Sequence, residues 1–287
     1  MKLLSFDLDG RRAWGVLADE RHDRFDLVDG RGLSMGRFPT VEAVLQAGAL
    51  DEMAKLAARA RPSLDSRQIA LALPVLPGKL LAVGGNFHAH AREIGLSEPD
   101  GPTAPIFFSR FVDSLALPGA PLIRPRVSTQ LDFEGELAVI IGKPAHCIDA
   151  ADAPACVAAY TCFNDGSVRD YQKASITAGK NFWRSGSLGP WLVTPDALPD
   201  PSRCMLETRL NGEIMQTAPL SDLIYSVAEL VAYASTFTPL ACGDVIATGT
   251  PAGIGARRVP PRWLSPGDVV EVEISGIGVL RNGIADA

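Results

Sequence analysis

The stretch that most constrains this chain is residues 130 to 142, "QLDFEGELAVIIG". It has the character of a buried β-strand, yet Asp132, Glu134 and Glu136 stand at alternate positions. Successive strand side chains point to opposite faces, so Phe133, Leu137, Val139 and Ile141 are expected on one face and the three carboxylates on the other. Alternate residues on one face lie only about 7 Å apart. Like charges at that distance raise each other's pKa, and an unpaired buried charge costs several kcal/mol. Two readings follow. Either the polar face is solvated, or a divalent cation is shared by the carboxylates, as a hard ion such as Mg²⁺ takes oxygen ligands at about 2.1 Å. The second reading needs a third oxygen ligand. "FNDGSVRDYQ" (163–172) offers Asp165 at a turn opening a predicted helix, with Arg169 and Gln172 on the same helical face. Alone, Asp165 reads equally well as an N-cap and Arg169 as its i+4 partner.

Composition narrows the function classes. The 287 residues are 47% hydrophobic and 21% charged, enough to bury a sizeable core in one large domain or two smaller ones. A net charge of -6 gives no basic footprint for nucleic acid. No long apolar or polybasic run marks a membrane partner. "MKLLSFDLDG" is too short in its apolar part for a secretory signal. Five cysteines form no CxxC pair, which suits a reduced, cytoplasmic protein.

Two short alternating runs, "KLLSFDL" and "RRAWGVLA", meet at Asp9-Gly10 and predict a hairpin. Residues 41–60 carry Val41, Val44, Leu45, Met53 and Leu56 at helical spacing. Prolines 62, 74 and 77 then suggest a boundary near residue 75, leaving a small β-rich accessory domain over 1–75 and the chemistry in 76–287. Further helices are predicted over 90–96, 151–159, 167–173 and 225–235. "CGDVIATGTPAGIG" (242–255) and "PGDVVEVEISGIG" (266–278) look like two copies of one hairpin unit.

Other candidates are less specific singly. In "GGNFHAHAREIG" (84–95), His88 and His90 form an HxH that could bind zinc on a strand; His22 and His146 are isolated. Alternatively, His90 and Glu93 stand i, i+3 on a short helix, where the carboxylate would orient the imidazole as a general base. Flanking glycines would suit a lid. Thr248 or Thr250 in "ATGTPAGIG" could meet an anionic oxygen, or the segment could be a tight turn. Lys180 could clamp a carboxylate or stabilise an enolate, or it could lie in solvent.

In this order, "VGGNFHAHAREIG", "APIFFSR", "LDFEGELAVIIG", "FNDGSVRDYQ", "AGKNF", "LGPWLVT", "LNGEIMQ", "GDVIATGTPAGIG" and "GDVVEVEISGIG" resemble the fumarylacetoacetate hydrolase family over residues 78 to 283. The resemblance implies an α+β, predominantly β fold, with a mixed β-roll or β-sandwich catalytic domain, commonly a homodimer. It implies Mg²⁺ or Mn²⁺ held by Glu134, Glu136 and Asp165, with Asp132 behind them. It also implies a His90–Glu93 dyad in the lid, catalysis aided by Lys180, and substrate contacts by Arg110, Arg169, Gln172 and Thr250.

The activity so implied is metal-dependent hydrolysis of the C–C bond of acylpyruvate-like diketo acids. The alternative on the same scaffold is a lyase or isomerase, decarboxylating oxaloacetate-type acids or isomerising hydroxymuconate-type diacids. The chain departs from the family's usual residues at Arg110 (commonly lysine), Gly85 (leucine), Phe87 (tyrosine) and His88. "KNFWRSGSLGPW" also departs from the frequent form. These departures bear on the substrate, since an arginine fork and a lysine point charge recognise acids differently.

Overall fold

A computed structural model describes residues 1–21, 24–96 and 102–287. His22 lies outside the described residues. The chain is α+β and sheet-dominated. A twelve-stranded mixed sheet has ten strands in spatial order, from Leu64–Asp65 through Arg24–Asp29, Arg11–Arg21, Lys2–Leu8, Gly186–Val193, Val157–Asn164, Gly135–Ile141, Val245–Ala247 and Leu80–Gly84 to Ile106–Arg110; Ala70–Leu71 joins Lys2–Leu8 and Leu115–Ala116 joins Gly186–Val193 off that path. A second sheet of five strands comprises Glu213–Pro219, Met205–Leu210, Val269–Ile274, Gly278–Asp286 and Leu122–Arg124.

The strand Gly135–Ile141 is wholly buried because both of its faces are covered. Leu137, Val139 and Ile141 pack with Leu206, Val272 and Ile274 of the second sheet. Ala138 and Ile140 pack on the other side with Trp14, Val44, Leu45 and Met53 from the N-terminal segment. Each such aliphatic side chain stabilises the fold by roughly 1.5–3 kcal/mol when fully buried. Gly135 is required where the sheets approach, since a Cβ there would stand 2.1 Å from Thr208 Oγ1.

The N-terminal strands join the large sheet directly: Lys2 pairs with Val193 and Leu3 with Leu192. Lys2–Leu8 and Arg11–Arg21 form the expected hairpin, with both Asp9 (φ 52°) and Gly10 (φ 76°) left-handed, as a two-residue primed turn demands.

Three expectations need correction. The helix over 41–60 is two helices, Val41–Gln46 and Leu50–Ala57, separated by Gly48 at φ 61°. The helix over 151–159 is a single 3₁₀ turn, Ala153–Cys156, followed by the strand Val157–Asn164, whose pairing on both edges overrides the alanine-rich sequence. The two Gly-Asp-Val units share a left-handed glycine turn (Gly243, φ 88°; Gly267, φ 90°) but not a fate. Val245–Ala247 runs parallel to Leu80–Gly84 in the large sheet, whereas Val269–Ile274 forms a hairpin in the second. All five cysteines are unpaired. Among the described residues no helix is long and apolar enough to cross a membrane.

Candidate active site

The stretch 130–142 is not one strand. Leu131–Asp132 pairs with Ser167–Val168 as a separate ladder, and the alternation breaks at Phe133 and Glu134 before Gly135–Ile141 begins. Phe133 therefore packs with Leu131, Leu264 and Val270 in a core of its own. Asp132 leaves the other acids: its carboxylate accepts the backbone N–H groups of Gly255 (2.8 Å) and Ala256 (3.0 Å) and pairs with Arg169 Nε at 2.8 Å.

Glu134, Glu136 and Asp165 do converge. The Asn164-Asp165 pair, at the end of the neighbouring strand, folds against Glu134. Asn164 Oδ1 accepts the Glu134 N–H (3.1 Å), and the Asp165 N–H donates to the Glu134 carbonyl (2.8 Å). One carboxylate oxygen from each of the three lies within 4.8 Å of the others, and all three side chains are buried.

Cations brace two of these acids. Lys180 Nζ lies 2.6 Å from Glu134 Oε2 and 2.5 Å from Asp165 Oδ2, and Arg169 Nη2 lies 2.6 Å from Glu134 Oε1. Burial alone would push the Glu134 carboxyl up, but Lys180 and Arg169 outweigh it and hold the group at about 2. Glu136 receives only the Gly249 N–H (2.9 Å) and has no ion pair among the described residues. Burial first, then the charges of Asp165 and Glu134, raise its pKa well above the ordinary value.

This donor set fits a divalent cation. Four buried carboxylates (Asp132, Glu134, Glu136, Asp165) face three buried or nearly buried cations (Arg110, Arg169, Lys180), and the unbalanced member, Glu136, belongs to the convergent triad. The ligand atoms are all oxygen, as hard cations require.

Arg110 is placed behind Asp165 rather than at substrate. Its side chain is fully buried and off the cavity wall, and each donor has an internal acceptor. Nη1 binds Asp165 Oδ1 (2.5 Å) and the Gly166 carbonyl (3.1 Å), Nη2 binds Ser185 Oγ (3.1 Å) and the Ser114 carbonyl (3.5 Å), and Nε binds Ser114 Oγ (3.1 Å). With its donors so engaged, none is left for a ligand.

The remaining candidates line a cavity of about 690 Å³ that takes in His90, Glu134, Arg169, Gln172, Lys180 and Thr250. Gln172 Oε1 accepts from Arg169 Nη1 (2.9 Å), which fixes both side chains. His90 sits on the helix His88–Ile94, closed by Gly95 at φ 78°. Its Nδ1 meets Glu93 Oε2 at 2.8 Å, while Glu93 Oε1 accepts the Gly253 N–H at 3.0 Å. With a carboxylate as acceptor, Nδ1 carries the proton and Nε2 keeps its lone pair. His88 is exposed, and residues two apart on a helix face away from each other, so the HxH does not form a zinc pair.

Two positioning residues escaped the sequence reading. Asn86 donates to the carbonyls of Tyr225 (3.1 Å) and Thr248 (2.8 Å) and accepts the Tyr225 N–H (2.8 Å), tying the start of the helix His88–Ile94 to two loops. Gln216 accepts the Gly135 N–H (3.0 Å) and donates to Thr250 Oγ1 (2.8 Å), so Thr250 is held from the second sheet. A buried Asn or Gln in a loop or an outer strand carries no local signal beyond its polarity.

Residues 79–285 match the fumarylacetoacetate (FAA) hydrolase C-terminal family. The chain belongs to that family. A mitochondrial oxaloacetate tautomerase of Bos taurus is 39% identical over 228 residues, 78% of this chain and 72% of the relative. A fumarylacetoacetate hydrolase of Exiguobacterium antarcticum has the same fold, with a TM-score of 0.82 and 30% identity over 100% of both chains. A 5-carboxymethyl-2-hydroxymuconate delta-isomerase of Mycobacterium smegmatis gives 0.77 and 27%, again over 100% of both. Family membership thus spans hydrolytic and proton-moving chemistries, and the choice between them belongs to the site.

Proposed function

We propose that the protein is an enol–keto tautomerase or isomerase of 2-oxo diacids. The observation that carries this reading is His90. It is a buried imidazole on the wall of a cavity whose floor holds Glu134, Arg169 and Lys180, and its proton is fixed on Nδ1 by Glu93. The similarity to an oxaloacetate tautomerase supports the same choice.

Glu134, Glu136 and Asp165 would hold a divalent cation, which supplies polarisation of the 2-oxo group and its carboxylate when bound. Lys180 stands beside that position and would stabilise negative charge on the enolate oxygen. His90 Nε2 then takes a proton from C3 of the keto form as electrons move onto the C2 oxygen; the reverse transfer regenerates the ketone. Glu93 keeps the imidazole in the one tautomer able to do this, and the Gly253 N–H holds Glu93.

The hydrolase reading of the sequence stands second. A dyad whose carboxylate is anchored at both oxygens can also activate water against an acylpyruvate. Residues 1–75 are proposed as an accessory part beside a catalytic 76–287, in a cytoplasmic homodimer.

The test uses enol-oxaloacetate and acetylpyruvate with Mg²⁺, each against His90→Ala and EDTA controls. Loss of enol absorbance with total oxaloacetate conserved, absent in both controls, supports the tautomerase. Pyruvate and acetate from acetylpyruvate, with no acceleration of oxaloacetate ketonisation, would replace it with the hydrolase.

A further inference from the structure

The strand Gly135–Ile141 serves two cavities. Glu136 turns to the catalytic floor, so the next residue, Leu137, faces the opposite way. There it lines a separate cleft of about 300 Å³, which shares no lining residue with the catalytic cavity. The depth of the cleft is formed by Leu137, Val157 and Leu220, all buried, and its sides by the half-buried Leu223 and Val227. A concave, mostly apolar space of this size with few polar groups is the usual setting for a small organic ligand.

Two polar groups interrupt that lining. Tyr160, on the strand Val157–Asn164, is only 7% exposed, yet its hydroxyl has no hydrogen-bond partner among the described residues. Buried hydroxyls are ordinarily bonded. Asp200 stands exposed at the rim. Its Oδ1 accepts the Ser202 N–H (3.1 Å) and Oγ–H (2.5 Å), while Oδ2 has no partner among the described residues. The two groups lie within electrostatic reach of each other. Burial first, and then the charge of Asp200, raises the Tyr160 pKa, so the phenol keeps its proton at neutral pH.

The sign of charge that suits the cleft follows from what else reaches it. Asp200 is the one charged side chain among the lining residues. The helix Val227–Phe237 also presents its first turn there, and such an end ordinarily favours anions. That end is already met by Glu229, whose carboxylate accepts the Ser226 N–H (2.8 Å) and Oγ–H (2.7 Å). One carboxylate oxygen and one phenol are left without partners beside an apolar hollow.

We propose that this cleft is a second ligand site, taking a primary amine carried on a small apolar body. The ammonium group donates to Asp200 Oδ2 and to the Tyr160 hydroxyl oxygen, and the apolar body fills the space between Leu137, Leu220 and Leu223. The site stands independently of the reaction assigned to the catalytic cavity.

The experiment is calorimetric binding to the full chain at neutral pH, with 3-phenylpropylamine, 3-phenylpropanol and 3-phenylpropionate. These ligands share one apolar body and differ in the charge of the head group. Wild type is expected to bind the amine about tenfold more tightly than the alcohol, as one charged hydrogen-bonded contact gives, and the acid most weakly. Asp200→Asn keeps the shape and removes the charge, so it should abolish the preference for amine over alcohol. Tyr160→Phe removes one hydrogen bond common to both and should weaken each about threefold to tenfold.

Both substitutions are nearly isosteric, and the thermal unfolding midpoint of each variant should stay close to that of wild type. Should Tyr160→Phe fail to fold, Asp200→Asn alone still decides the point, because its residue is exposed and its amide oxygen can still accept from Ser202. An amine bound no better than the alcohol, or an amine preference that survives Asp200→Asn, overturns the proposal. So does an acid that binds more tightly than the amine and loses affinity in Tyr160→Phe, since the helix end and not Asp200 would then set the charge of the ligand.

Discussion

The floor of the site and the lid above it are held by different means. The floor's carboxylates spring from buried strands or strand ends, Arg169 and Lys180 reach them from two short helices, and each charge but Glu136 is met by an opposite one within 2.8 Å. The segment expected as a lid is one short helix, His88–Ile94, with its dyad fixed by the single N–H of Gly253 and its base by Asn86. A sheet position cannot shift without disturbing pairing on both sides, whereas a lid contact can open and re-form. Floor substitutions should therefore register in stability and metal binding, and lid substitutions in rate.

The largest expected effect lies in the lid. His90→Ala should lower tautomerisation about 10²–10⁴-fold, the usual contribution of a positioned acid–base group. Its unfolding midpoint and Mg²⁺ affinity should stay close to wild type. A parallel loss of metal affinity would erase the distinction between the two regions. Next comes the floor. Arg110→Ala strips Asp165 of one of its two cationic partners and should destabilise the protein by about 3–5 kcal/mol in urea unfolding. Arg110→Lys should recover only part, because an ammonium cannot span Asp165, Gly166, Ser114 and Ser185 at once. A fully stable Arg110→Ala with a raised KM would return Arg110 to the substrate.

How much of this was legible in the sequence follows the same division. The Glu134/Glu136 spacing, the Asn164-Asp165 pair and the His90/Glu93 spacing are local patterns, and each has a local geometric meaning on a strand, a turn or a helix. The break at Phe133 is not local. It arises because Leu131–Asp132 pairs with Ser167–Val168 while Gly135 must meet the second sheet. That break separates Asp132 from the acids with which strand alternation had grouped it. Arg110 was misplaced for a related reason. Charge and family position bring it to the site, but only tertiary packing decides that it approaches Asp165 from behind. The 151–159 segment shows propensity yielding to pairing in a central strand.

A smaller effect tests the hinge between the two regions. Asn86→Ala leaves three backbone groups without a partner and should cost about 1–3 kcal/mol. If the lid depends on that anchor, kcat should fall further than stability alone explains, and Asn86→Asp should restore only the bond from the Tyr225 N–H. Unchanged kcat with reduced stability would make Asn86 a purely structural tie.

The smallest change is one of slope, and it isolates the floor's one unmatched charge. In EDTA the Glu136 carboxyl titrates well above the 4.5 that it has when unfolded, first because it is buried and then because Asp165 and Glu134 repel it. Below 4.5 both states hold the proton, and Glu136 adds no pH dependence. From there up to the raised folded value the native chain binds a proton that the unfolded chain has lost. Stability must then fall with rising pH, by at most about 1.4 kcal/mol per pH unit. Glu134 acts in a separate window: held at about 2 when folded, its contribution is present above 4.5 and lost as pH falls toward 2. Glu136→Gln removes the group and should flatten the upper slope in EDTA, making the metal-free protein more stable at neutral pH. The same variant should no longer be stabilised by Mg²⁺, whereas wild type should lose its slope when Mg²⁺ holds the carboxylate ionised. A wild-type slope indifferent to both Mg²⁺ and Glu136→Gln would mean that the unmatched charge lies elsewhere, and that Glu136 is not what draws a cation to the floor.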